Sequence, residues 1–347
     1  MKKNVLILLA GLALACGGGE SRQPVSASTP DGGGTLAING AGATFPYPLY
    51  SKWFADFGAK RPEVRINYQS IGSGGGIRQL SAGTVFFGAT DSPMTDEQLK
   101  AAGGNVLHFP TTLGAVVPVY NVPNVAALNF PRAVLADIFL GKVAKWNDAR
   151  LAAANAGVQL PDLPIVVVHR SDGSGTTFIF CDFLSKVSPA FKSTIGASTS
   201  VQWPAGVGAK GNEGVAGLVR QTPGAIGYVE LVYALQNNIA YGAVENSTGK
   251  FVRASTESVT AAAAGATIPP DFRVSITNAP GETAYPIASF TWLLLRERST
   301  DTRRAAAMAD FLRWALTDGQ QECARLGYAP LPANVIQSEL PLLDRVK

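Results

Sequence analysis

The stretch Val166-Val167-Val168-His169-Arg170-Ser171-Asp172-Gly173-Ser174-Gly175-Thr176-Thr177-Phe178 gathers residue types that suit anion chemistry. A β-branched run ends in Arg170, crosses a polar glycine-containing turn, and opens into Phe178, Phe183, Leu184 and Val187 at helical spacing. The first turn of a helix has backbone N–H groups without internal partners and a partial positive charge, so Ser174-Gly175-Thr176 is placed to close around an oxyanion. Arg170 adds a charge and a planar fork of donors that matches two anion oxygens. The same residues also read as a capped helix after a turn, with Ser174 as N-cap and Arg170 in solvent.

Three other polar turns follow strand-like runs: Asn39-Gly40-Ala41-Gly42-Ala43-Thr44-Phe45-Pro46, Gly72-Ser73-Gly74-Gly75-Gly76, and Thr90-Asp91-Ser92-Pro93. They offer donors without a general base beside a nucleophile. The second turn fails the G-x-G-x-x-G dinucleotide spacing because Ile77 stands where the last glycine belongs. No Gly-Lys-Ser/Thr follows Gly173, so the fourth turn is not a phosphate-cradling P-loop. Ser174 invites a serine hydrolase reading. However, Asp172-Gly173-Ser174-Gly175-Thr176 lacks the first glycine of a nucleophile elbow, and strand alternation turns His169 away from Arg170. Asp91 stands out as an acceptor. It reads either as a helix cap for the segment 93–100 or as a carboxylate that takes a hydrogen bond from a ligand still holding a proton. Hydrogen phosphate has such a proton and sulfate does not, so one carboxylate sorts two anions of the same shape.

These turns need a scaffold, and the 347-residue chain has room for about two domains. Its 46% hydrophobic and 16% charged residues suit packed cores rather than disorder. Met1-Lys2-Lys3 and the apolar run Val5 to Ala15 form an export signal over residues 1–15, and Leu12-Ala13-Leu14-Ala15-Cys16 is similar to a bacterial lipobox. Lipidation of Cys16 would add enough acyl chain to anchor the protein stably. Gly17 to Gly34, rich in Gly and Ser, reads as a tether, so residues 16–34 hold the folded body off the membrane. Cleavage lowers the formal charge from +4 to +2, too little to argue for nucleic acid. With His108 and His169 as the two histidines, a His-rich metal site is excluded. Cys181 and Cys323 lie in apolar helical patterns and read as buried thiols.

Strands and helices alternate along the chain. Leu36 to Ile38, Val64 to Tyr68, Val85 to Ala89, Ala115 to Tyr120, Val166 to Arg170, Ala225 to Glu230 and Ile287 to Leu295 read as strands. Leu49, Tyr50, Trp53, Phe54 and Phe57 mark an amphipathic helix. Further helices are expected at Asp96 to Ala102, Pro131 to Leu140, Val215 to Gln221 after a loop Gly206 to Gly214, Thr302 to Leu316, and Gln320 to Leu326. This alternation predicts an α/β fold with mainly parallel sheets, in which ligands bind beyond the carboxyl ends of strands.

Six ordered motifs carry a family resemblance: Asn39 to Pro46, Ile71 to Gly76, Phe87 to Asp91, Arg170 to Thr176, Gly208-Ala209-Lys210-Gly211-Asn212-Glu213-Gly214, and Pro223 to Tyr228. From about Leu36 to about Pro332 the chain resembles the periplasmic phosphate-binding proteins of bacterial phosphate ABC importers. The resemblance implies a two-lobed periplasmic-binding-protein fold of type II, with lobe I over 35–112 plus 285–347, lobe II over 113–284, and crossovers near Thr112 and Thr283. It places phosphate against Thr44, the Phe45 backbone N–H, Ser73, Asp91, Arg170, Ser174, Gly175 and Thr176, with Asp172 orienting Arg170. It further implies a non-enzymatic monomer without cofactor or metal, partnered by inner-membrane permease subunits and their cytoplasmic ATPase. Cys181 and Cys323 would fall in different lobes, where a disulfide would hinder opening. Departures from the pattern are Gly74, where relatives often have a second serine, Phe86, often polar there, and His169. Another tetrahedral oxyanion (sulfate or arsenate) and a stand-alone secreted phosphate scavenger are the alternatives.

Overall fold

Glycine lets the first strand reach the site. Strand β1 (Leu36–Gly42) continues past its apolar triplet because a Cβ at Gly40 would fall on the Phe87 ring, and one at Gly42 would lie 2.6 Å from Ala89 N. The computed structural model describes residues 35–346; the export signal, Cys16 and the tether lie outside the described residues.

From there α1 (Tyr47–Lys60), β2 (Val64–Ser70), α2 (Ser73–Ser81), β3 (Phe87–Thr90), α3 (Asp96–Ala101) and β4 (Val106–Tyr120) follow in order. The middle of the chain contains β5 (Asn129–Phe130), α4 (Arg132–Phe139), α5 (Ala149–Ala153), β6 (Val166–Arg170), α6 (Gly175–Val187) and α7 (Pro189–Thr194). Next come β7 (Val207–Ala209), α8 (Gly211–Gln221), β8 (Ala225–Glu230), α9 (Leu231–Gln236), β9 (Ala240–Tyr241), β10 (Ala243–Glu245), β11 (Phe251–Val252) and α10 (Thr256–Ala264). The chain closes with β12 (Ala288–Arg296), α11 (Thr302–Leu316), α12 (Gln321–Arg325) and α13 (Ala333–Glu339).

The main sheet has the order β2, β1, β3, β12, β4, β8, β6, β7, with β9 against β4. Its flanks are parallel as expected: β1 with β2 and β3, and β6 with β7 and β8. Its centre is antiparallel, because β12 pairs with both β3 and β4, and β4 pairs with β8. Strand β4 joins the flanks: Val106 to Ala115 pair with β12, and Val116 to Tyr120 with β8. It is longer than the expected Ala115 to Tyr120 because both its faces are covered, so residues 106–114 lack the apolar–polar alternation that reveals a half-exposed strand. Its pairing with β12 slips beside Pro110, which has no N–H to give the ladder.

Helix α1 buries Leu49, Tyr50, Trp53 and Phe57 at the predicted spacing, with Tyr50 stacked on Trp53 at 5.9 Å. Trp53 Nε1 donates to Gly319 O at 2.8 Å and pins the C-terminal helices to this face. Helix α8 starts at Gly211, four residues before the expected Val215. Gly211 takes the positive φ of +74° and Gly214 is tolerated in the first turn, so a run that reads as loop from its glycines is helical. Helix α10, missed in the sequence, opens with a reciprocal Ser255–Ser258 capping box.

Cys181 and Cys323 are both free and fully buried. Burial pushes the Cys323 thiol up to about 12, and that of Cys181 further. The peptides containing them are expected to take up a thiol reagent only in denaturant. Peptide mapping that finds label on either in the native protein would contradict this burial.

Candidate functional site

The four polar turns all stand at carboxyl ends of strands: Thr44 after β1, Ser73 after β2, Asp91 after β3, and the 171–176 turn after β6. The structure brings them together. Gly74 N donates to Gly173 O at 2.9 Å, joining the second turn to the fourth. A Cβ on Gly175 would run into Ser73 Oγ and lie 2.7 Å from Asp91 Cβ and Oδ2. The N-terminus of α6 therefore meets Ser73 and Asp91 backbone-first, an approach that only glycine permits. Gly74 lies against the same loop, since a Cβ there would come 3.2 Å from Gly173 Cα.

Arg170 is 4% exposed, which rules out the solvated alternative. Its fork is held by Asp172, with Nε to Oδ1 at 2.8 Å and Nη2 to Oδ2 at 2.5 Å, while Nη1 donates to Thr176 Oγ1 at 3.3 Å. Burial alone would raise the Asp172 carboxyl; the Arg170 guanidinium and the Gly211 N–H outweigh it and hold the group below the usual carboxylate range. Asp172 stays ionised and fixes the plane of the guanidinium. Ser174 does cap α6, its Oγ accepting from Thr177 N at 3.0 Å. His169 is turned away and stacks on Trp203, ring centroids 5.5 Å apart.

Asp91 is not the cap of α3. Thr95 fills that role in a capping box with Gln98, leaving Asp91 buried with 1% exposure. Its Oδ1 accepts from Thr291 Oγ1 at 2.7 Å, and its Oδ2 from Ser73 Oγ at 3.3 Å. Burial raises the Asp91 carboxyl to about 7, against the lowering pull of the Thr291 hydroxyl, the Arg170 charge and the Ser73 hydroxyl. It therefore changes protonation close to neutral pH.

The Thr44-Phe45 backbone is pinned through its carbonyls, with Tyr233 Oη donating to Thr44 O at 2.5 Å and Tyr328 Oη to Phe45 O at 2.7 Å. Asn212, fully buried at the start of α8, donates from Nδ2 to Thr44 Oγ1 at 2.7 Å and to Thr176 Oγ1 at 3.2 Å. Thr291, Tyr233, Tyr328 and Asn212 were not singled out from the sequence. Only Asn212 left a signal there, inside the Gly208 to Gly214 motif.

The eight expected contact residues thus meet in one buried cluster: donors on Thr44, Ser73, Arg170, Ser174 and Thr176, backbone at Phe45 and Gly175, and a carboxylate at Asp91. Such a set can surround a tetrahedral oxyanion. Gly175→Ala is expected to push α6 off Asp91 and Ser73 at an overpacking cost of about 1–3 kcal/mol, weakening anion binding by roughly tenfold or more. Titration of a variant with an unchanged circular dichroism spectrum checks this.

Residues 25–319 match the family model described as PBP superfamily domain. The chain is 49% identical over 323 residues to the phosphate-binding protein PstS of Xylella fastidiosa, covering 92% of this chain and 87% of the relative. It is 48% identical over 304 residues to the protein of the same name from Pasteurella multocida, covering 86% and 88%. Among solved structures, a phosphate binding protein from Stenotrophomonas maltophilia superposes with a TM-score of 0.70 at 19% identity, over 88% of this chain and 93% of that one. The sheet order, the meeting of four strand-end turns and these likenesses agree: the chain belongs to the PBP superfamily and, within it, to the family of the PstS phosphate-binding proteins.

Proposed function

We propose that this protein captures inorganic phosphate outside the cytoplasm and hands it to the membrane permease of a phosphate ABC importer. The observation that carries the reading is Asp91, a buried carboxylate set among hydroxyls, a helix N-terminus and Arg170. Thr44, Ser174 and Thr176 hydroxyls, the Phe45 and Gly175 N–H groups and the Arg170 fork give their hydrogens to phosphate oxygens, and the Ser73 hydroxyl turns its hydrogen from Asp91 Oδ2 to the anion. The ionised Asp91 accepts the hydrogen of hydrogen phosphate. Sulfate, lacking that hydrogen, would place an oxygen against a carboxylate oxygen in a dry site.

The pairing switch in β4 and the position of β12 support lobes of 35–112 plus 285–347 and 113–284, hinged where these strands pass between them. Closure of the lobes would bring Thr44, Ser73 and Asp91 against Arg170 and α6 and exclude water. The signal-like residues 1–15 and the lipobox-like run before Cys16 support export and a lipid anchor, and the exported body acts as a monomer. The chain acts by binding, without a chemical step.

Calorimetric titration with phosphate, sulfate and arsenate tests this reading. Saturable binding of one phosphate, with sulfate bound far more weakly, is the expected result. Equal affinity for sulfate, or no heat with phosphate, would overturn it.

A further inference from the structure

Asn212 sits where two threonines from distant parts of the chain converge, and its amide settles which way their hydroxyls can act. A threonine oxygen has two lone pairs and one hydrogen. Thr44 Oγ1 receives two N–H donors, Asn212 Nδ2 at 2.7 Å and Asn212 N at 3.2 Å. Thr176 Oγ1 also receives two, Asn212 Nδ2 at 3.2 Å and Arg170 Nη1 at 3.3 Å. The acceptor capacity of both oxygens is filled from behind, and what each retains is its hydrogen. The amide cannot be reversed to undo this arrangement, because its Oδ1 accepts from Glu230 N at 2.9 Å and so fixes which end faces the threonines.

We propose that Asn212 is a positioning residue for anion capture, one that commits the Thr44 and Thr176 hydroxyls to donating into the site and leaves Asp91 to accept the ligand hydrogen. The inference rests on the phosphate reading of this cluster and adds to it a residue outside the contact set. Were either hydroxyl free to turn, it could accept as well as donate. The site would then be softer in two ways: fewer fixed donors for the oxygens, and a second place for the ligand hydrogen. Asn212 also ties α8 to Thr44 at the end of β1, 168 residues away in sequence, so the same amide that polarises the hydroxyls joins the two flanks of the sheet.

The test is calorimetry with inorganic phosphate on the wild type, Asn212→Ala, Thr176→Val and the double variant, with melting temperatures recorded alongside. Wild-type binding establishes the phosphate reading independently; its failure would remove that reading and this one together. Given wild-type binding, Asn212→Ala is expected to weaken phosphate about tenfold, and to cost only about threefold in the Thr176→Val background, where Thr44 is the one hydroxyl left for it to act through. Equal cost in both backgrounds would overturn the proposal. Asn212→Asp, which keeps the shape and the contact with Glu230 N, covers the case in which the alanine variant fails to fold. Its second oxygen would take the threonine hydrogens out of the site, so it should bind phosphate at least as poorly as Asn212→Ala and more than about tenfold below wild type. An aspartate variant within about threefold of wild type would show that Asn212 fills space and does not set polarity.

Discussion

Replacing Asp91 with asparagine is expected to collapse the preference for phosphate over sulfate by about a hundredfold, the scale of exchanging one charge-assisted hydrogen bond for an unfavourable contact. The asparagine amide would keep the acceptor facing Thr291 Oγ1 and present an N–H₂ donor where Oδ2 now receives the Ser73 hydroxyl. A donor has nothing to offer the ligand hydrogen, and it favours the bare oxygen of sulfate. Competition titrations of the two anions on wild type and variant give the ratio directly; an unchanged ratio would remove Asp91 from the selective role.

The pH dependence of the same residue gives an independent measurement. The folded-state carboxyl, at about 7, lies above its ordinary value of 3.8, so the native protein holds the Asp91 proton where the unfolded chain has lost it. The stability this contributes is fully present below about 4 and is lost as pH rises through about 7, a change of at most roughly 4 kcal/mol. The asparagine variant lacks a titrating group at this position. It should therefore melt above the wild type at pH 8 and approach it at pH 4, in thermal scans without anion. Sulfate rejection by the wild type should also relax as pH falls below about 7, since a protonated Asp91 becomes a donor, whereas the variant should show no such trend.

Loss of Arg170 is expected to cost about 2–5 kcal/mol of phosphate binding, roughly 30- to 5,000-fold in Kd. Two effects add. The anion loses a buried cation whose side chain is 1% exposed, and Asp172, 12% exposed, loses the fork that holds it ionised and becomes an uncompensated carboxylate beside the site. Arg170→Lys should fall between wild type and Arg170→Ala, because an ammonium keeps the charge but cannot span both Asp172 oxygens and Thr176 at once. Titration calorimetry of both variants with phosphate measures the order. An alanine variant with near-native affinity would place Arg170 outside the binding set.

The local turns were legible because their chemistry is contiguous in the chain. Polar residues at the end of an apolar run, with glycine among them in three of the four cases, mark a turn out of a strand, and each of the four turns lies at a strand end. The resemblance of the motifs then supplied the eight contact positions, which local pattern alone had not assigned to one site. Strand β4 was half hidden, because its buried first part mixes Pro110, Thr111 and Thr112 with apolar residues and shows no period. The start of α8 was hidden for the opposite reason: its glycines look like a loop, and only the packing of Asn212 between Thr44 and Glu230 explains why the helix begins there.

By itself the sequence determined which residues could serve an oxyanion, because residue type, glycine placement and strand-to-helix order are local properties. The tertiary structure decided the states of those residues: that Asp91 is buried deeply enough to titrate near neutrality, that Arg170 is braced rather than solvated, and that Thr44 and Thr176 have their lone pairs filled by Asn212. Desolvation and hydrogen-bond polarity depend on what closes over a group from elsewhere in the chain, and here the closing residues are far off in sequence, Thr291 lying 200 positions from Asp91.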